Sequence, residues 1–238
     1  MTWSIVARDP KSGRFGIAIS TCAFAVGAIC PWTRAGVGAI STQAHTNPLH
    51  GPLAIDLMTR GLPVTEALAM TLAHDEGREI RQVHGVDAEG NTFAHTGAHC
   101  VDWCGHLTGE NVSVAGNMLA GHAVVADTLA KYEATPDLEF GDRLLTALEA
   151  GEAAGGDKRG KQSAALLIQG SEPYAEADIR VDDHPEPVTE LRRLFGIYST
   201  SRRAYMRTMG GIGDFAGIID HAERDAFVAA NLKAAESS

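Results

Sequence analysis

The sequence is short of positive charge: 20 Lys and Arg stand against 30 Asp and Glu, a formal net charge of −10. No segment gathers cations densely enough to track a phosphate backbone, so nucleic acid is not an expected partner. A long apolar run is also missing. The most apolar stretch, Phe15 to Pro31, falls short of the roughly 20 residues that span a bilayer and is interrupted by Gly, Ser and Thr. No membrane partner is expected. Cysteine is scarce, with only Cys22, Cys30, Cys100 and Cys104. Arg8, Asp9 and Lys11 follow Met1 closely, without the basic-then-apolar plan of a secretory signal. A cytoplasmic location is therefore expected, and with it free thiols rather than disulfides.

What is present is apolar content of 45% over 238 residues and no low-complexity linker, enough for a sizeable core in one large domain. Runs at Trp3–Ala7 and Arg14–Ile19, separated by Asp9-Pro-Lys-Ser-Gly13, predict an opening hairpin. The Gly-rich apolar stretches Ala23–Ile29 and Gly36–Thr42 predict further strands. From Pro52 the period changes: Leu53, Leu57 and Met58, then Val64, Leu68 and Leu72, predict two helices broken at Gly61-Leu-Pro63. Strands are expected again at Ile80–Val86, Thr92–His95 and Val112–Ala115, and helices at His122–Tyr132 and Phe140–Leu148. Strands at Ser163–Gln169 and Ala177–Val181 and a helix at Val188–Tyr198 complete the series. Strands and helices arrive in paired blocks, which fits two mostly antiparallel sheets between helix layers better than a doubly wound parallel sheet. The fold class expected is α+β, a four-layer α-β-β-α sandwich spanning residues 1–198. Residues 199–238 read as a C-terminal arm with a final helical run from Asp220 to Ala235, packing on the domain or on a dimer mate.

Several motifs occur in order: Thr2-Trp-Ser-Ile-Val-Ala-Arg-Asp-Pro10, Phe24-Ala-Val-Gly27, Thr42-Gln-Ala44 with Asn47-Pro48, Cys100-Val-Asp-Trp103, Gly116-Asn-Met-Leu-Ala-Gly121, Gly155-Gly-Asp-Lys-Arg-Gly-Lys-Gln-Ser-Ala-Ala165 and Arg180-Val-Asp-Asp-His-Pro185. With these the sequence resembles the DUF1028 family. The resemblance implies an Ntn-hydrolase-like fold and, since folds host many chemistries, no particular reaction.

In that architecture the first residue of the processed chain is Thr, Ser or Cys, and its own α-amine, with a reference pKa near 7.7–8.0, takes the hydroxyl proton. Thr2 follows Met1 and would head the first strand once Met1 is removed. Ser4, one strand period away, is the substitute. Asn47 and Asn117 are candidate oxyanion donors, although Asn before a helix often only caps it. In the glycine-rich run, Asp157, Arg159 and Lys161 are candidates for positioning an anionic substrate or tuning the amine. His99, Cys100, Cys104 and His106 are the compact donor cluster, too cramped for a tetrahedral ion, so no metal is expected, nor any cofactor. The leading expectation is a hydrolase cleaving an amide or related C–N bond of a small anionic metabolite. The alternative is a non-catalytic ligand-binding or structural protein that keeps Met1.

Overall fold

The computed structural model describes residues 2–236. Asp9 reverses the chain after β1 (Thr2–Arg8): its carboxylate accepts from the Lys11 amide and the Ser12 hydroxyl, and its carbonyl from the Gly13 amide. This delivers β2 (Phe15–Thr21) antiparallel to β1, with Trp3 opposite Ser20 and Arg8 opposite Phe15. Then come β3 (Pro31–Arg34), β4 (Gly38–Ala44), α1 (His50–Thr59), α2 (Val64–Ala73), β5 (Arg81–Asp87) and β6 (Thr92–Thr96). They are followed by β7 (Gly105–Gly109), β8 (Val112–Asn117), α3 (Ala123–Glu133), α4 (Phe140–Ala153), β9 (Ser163–Gln169), β10 (Ala177–Val181) and α5 (Pro187–Ile197). A π-helical turn leads into α6 (Arg203–Met206), and α7 (His221–Glu236) ends the described chain.

Among the described residues the strands form two sheets, ordered β10-β9-β2-β1-β8-β7 and β3-β4-β5-β6, and every pairing is antiparallel. α3, α4 and α5 cover the outer face of the first sheet, α1 and α2 that of the second, and the inner faces pack on each other. This is the four-layer α-β-β-α sandwich that the block order and the family resemblance lead one to expect.

Strand alternation explains the layers. From β1, Trp3, Ile5 and Ala7 enter the core under the helices with Leu144 and Leu148, while Val6 faces the other sheet with Phe15, Ile17, Ala39 and Val86. Thr2 and Ser4 share the side of Val6, so a polar segment lies between the sheets at one end and an apolar one at the other.

The structure corrects one reading and adds one strand that was not expected. Residues 23–29 form a loop with a short 3₁₀ turn, because Ala25 is left-handed (φ 54°) and the Val26 amide is drawn to the Ser163 hydroxyl. The strand lies later, at β3, where Pro31 in first position suits a sheet edge. β7, also at an edge, is bounded by glycines and has no apolar alternation to announce it.

Candidate active site at the head of the first strand

Thr2 opens β1 directly opposite Asn117, the last residue of β8. Its hydroxyl donates to the Thr21 hydroxyl at 3.2 Å. The Asn117 amide nitrogen reaches the Thr2 carbonyl at 3.5 Å and the Oε1 of Gln82 at 3.0 Å. Three segments converge at this end of the sheet. The Cys22 amide, one residue past β2, donates to Oδ2 of Asp157 at 2.7 Å, and Leu119, just past β8, pairs with Asp157 as an isolated bridge. Asp157 also accepts the Arg159 amide at 2.8 Å and holds its guanidinium at 3.3 Å.

The backbone around this junction is unusual. Gly155 and Gly160 have φ of 114° and 115°, a region that L side chains rarely enter, which is why this loop carries glycine. Met118, directly after Asn117, and Ala44, directly after Gln43, are left-handed without being glycine, at φ 53° and 70°. Such positions cost energy and persist where the surroundings over-determine them, often beside functional sites.

Behind Thr2 a polar seam joins the two sheets. The Ser4 hydroxyl donates to Oε1 of Gln43 at 2.7 Å and lies 2.7 Å from Nε2 of His84, whose Nδ1 is 3.0 Å from the Ser113 hydroxyl. Gln43 in turn donates to Oε1 of Gln82 at 2.8 Å and to the Ala115 carbonyl at 3.1 Å. The Gln82 amide nitrogen serves Thr96, Gly105 and Gly116. Buried polar groups must be paired, and the side-chain oxygens and nitrogens of these residues are. Burial pushes His84 down to about 3, so the imidazole is neutral. Burial likewise pushes the Cys30 thiol up to about 12 and Cys104 up to about 11, which disfavours thiolate chemistry at either.

The structure thus brings Thr2, Asn117 and Asp157 to one end of the fold, with Arg159 half-exposed at its margin. Ser4 lies within the seam, fully enclosed with its hydroxyl engaged. Asn47 belongs elsewhere: it donates to Asp75 at 3.2 Å and caps the Leu49 amide, beside a separate cavity of about 190 Å³ with His50. In that cluster Arg81 holds the Asp75 carboxyl below the usual carboxylate range, helped by His50 and Asn47. Lys161 is occupied by Glu186 at 2.5 Å and Glu152 at 3.5 Å. Among the described residues no group of three or more His, Cys, Asp and Glu is placed to hold a metal, and His106 is bonded to Thr96 instead. No helix among them is long and apolar enough to cross a membrane.

Sequence reasoning missed Thr21, Gln43, Gln82, His84 and Ser113. A signal existed: Ser41-x-Gln43 and Gln82-x-His84 place polar residues at the strand period in two neighbouring strands, paired opposite one another as Gln43 with Gln82 and Ser41 with His84.

A family model described as "Family of unknown function (DUF1028)" matches residues 2–191. The crystal structure of protein SPO2555 from Silicibacter pomeroyi, assigned to the same family, superposes with a TM-score of 0.85 at 30% identity, covering 92% of this chain and 96% of that one. Weaker likenesses are found to Anbu (ancestral beta-subunit) from Yersinia bercovieri, with a TM-score of 0.40, 10% identity and coverage of 82% and 93%. The Anbu Gly-1 mutant from Hyphomicrobium sp. strain MC1 gives 0.41, 12% and coverage of 87% and 97%. No curated protein matches the chain.

Proposed function

The chain belongs to the DUF1028 family, and from that premise we propose that it is an N-terminal-nucleophile-type hydrolase of a small anionic amide, with Thr2 as nucleophile once it is the first residue of the mature chain. The observation that carries this reading is the position of Thr2 at the head of β1, its hydroxyl held by Thr21 and its carbonyl by Asn117. The α-amine of Thr2 is the base. The neighbouring seam offers no substitute, since its one titratable side chain, His84, is engaged on both ring nitrogens. In the reaction the Thr2 oxygen attacks the amide carbon, the α-amine takes the hydroxyl proton and passes it to the leaving nitrogen, and water cleaves the ester. Asp157 orients the β2 exit through the Cys22 amide, and the unused donors of Arg159 supply charge complementary to an anionic substrate. Asn117 is assigned to positioning, because its amide protons already serve Gln82 and Thr2.

A second reading, a non-catalytic ligand-binding protein on the same fold, is favoured by one observation: Thr2 is only 7% exposed. Intact mass and a panel of small carboxylate-bearing amides, assayed by amine release, separate the two. The hydrolase reading expects a chain starting at Thr2 and a loss of about 10⁴-fold or more in rate for Thr2→Ala, with unchanged melting. A mature chain with residues ahead of Thr2, or an active Thr2→Ala variant, defeats it.

A further inference from the structure

At the far end of β2 from Thr21 lies a larger cavity. The β9–β10 connection and the chain after α5 border this open-sided cavity of about 470 Å³, with Arg14 in the lining. At the rise of an extended strand, Arg14 is about 20 Å from Thr21, so this cavity is separate from the site at Thr2.

Its charges do not all cancel locally. Arg14 meets Glu139 at 2.8 Å, Glu176 at 3.2 Å and Asp9 at 3.8 Å, and Arg203 meets Glu139 and Glu176 at 3.0 and 3.5 Å, so both of these cations are paired with carboxylates. Nε of Arg203 is nevertheless buried without a hydrogen-bond partner. Arg207, also in the lining, makes one long contact of 3.5 Å to Asn231 and has no carboxylate within ion-pair distance among the described residues. Glu172 accepts the Ile212 amide at 2.8 Å and has no cation partner among them. The hydroxyls of Tyr174 and Tyr198 are turned to the carbonyls of Gly210 and Glu176, so both are satisfied within the protein. Met206 and Met209 complete a polarisable lining of the kind that accommodates aromatic and thioether groups.

An unpaired guanidinium and an unpaired carboxylate on one partly apolar cavity match a ligand bearing both charges. We propose that the cavity binds a free α-amino acid with an aromatic or thioether side chain. Its carboxylate is received by Arg207, its ammonium by Glu172, and its side chain by Tyr174 and the two methionines. A simple anion would leave Glu172 unmatched, and a simple cation would leave Arg207 unmatched. The cavity shares no residue with the site at Thr2, so it is independent of the hydrolase reading.

Isothermal titration of the full chain with L-tryptophan, L-phenylalanine and L-methionine tests this. At least one is expected to bind one per chain, with a Kd below about 1 mM. Its deaminated and decarboxylated counterparts (for tryptophan, indole-3-propionate and tryptamine) should each bind at least about tenfold more weakly. Arg207→Gln and Glu172→Gln, both peripheral to the Arg14–Glu139 cluster, should each weaken the amino acid at least about tenfold with unchanged melting, while Thr2→Ala leaves binding intact. The proposal is overturned if none of the three binds in that range, if the carboxylate-only analogue binds as well, or if Glu172→Gln binds like the unaltered protein.

Discussion

Nε2 of His84 stands 2.7 Å from the hydroxyl oxygen of Ser4, a contact that ties an inner strand of one sheet to an inner strand of the other. The pair sets how the protein responds to acid. Burial lowers His84 from 6.5 to about 3 in the folded state. Between those values the unfolded chain binds a proton that the folded chain refuses, so this contribution is fully present above 6.5 and is lost as pH falls toward 3. Asp75 acts in the same direction lower down, because Arg81 holds its folded-state affinity for protons below the ordinary value. Melting temperature should therefore fall steadily on going from pH 7 to pH 4, and His84→Gln should flatten the upper part of that slope. A flat profile would contradict the assignment of a neutral, buried imidazole.

The other end of the same contact gives a stability prediction. Ser4→Ala leaves Nε2 of His84 buried without its partner and Oε1 of Gln43 with only the longer bond from the Ser41 hydroxyl at 3.3 Å, which costs about 1–3 kcal/mol. Urea unfolding should show a lower midpoint with an unchanged slope. Thr2→Ala, at the margin of the network, should move the midpoint by much less.

The contrast between Thr2 and Ser4 shows what was legible in the sequence. Period-two patterning placed both on one face of β1, and the hairpin, the paired blocks of helices and the layer order follow from the same kind of reading. The seam did not, because polar residues such as Gln43, Gln82 and His84 within a strand read as solvent-facing unless the opposing sheet is known. The junction of Cys22 with Asp157 joins segments far apart in the chain, and no local pattern encodes it. Residues 23–29 misled for a different reason: their composition is that of a buried strand, but the backbone at Ala25 takes a left-handed angle that composition does not reveal.

Gly85 in β5 permits the close packing of the second sheet. A Cβ there would lie 2.7 Å from the Ala39 carbonyl oxygen, a backbone atom that cannot swing aside, and 3.0 Å from Ile40. Gly85→Ala should cost about 1–3 kcal/mol by overpacking. The loss will show as a lower melting temperature, whereas Gly36→Ala, with nothing within 4 Å of its added Cβ, carries only the backbone penalty of its φ of 68°.

Asp157 offers the sharpest test of how the head of β1 is held. Its two carboxylate oxygens accept the amides of Cys22 and Arg159 and the Arg159 guanidinium, so both are used as acceptors. Asparagine has the same shape but must turn a donating NH₂ toward one of these N–H groups. Asp157→Asn should thus destabilise by about 1–3 kcal/mol, close to Asp157→Ala, rather than behave as a conservative change. Hydrogen exchange locates the effect: the Cys22 amide should exchange faster in both variants while amides in the middle of β2 keep their protection. If Cys22 keeps its protection in Asp157→Asn, the carboxylate does not anchor the β2 exit, and the convergence of β2, β8 and the glycine loop must be held by backbone bonds, the Leu119–Asp157 pairing and the Gln162 amide on the Thr21 carbonyl.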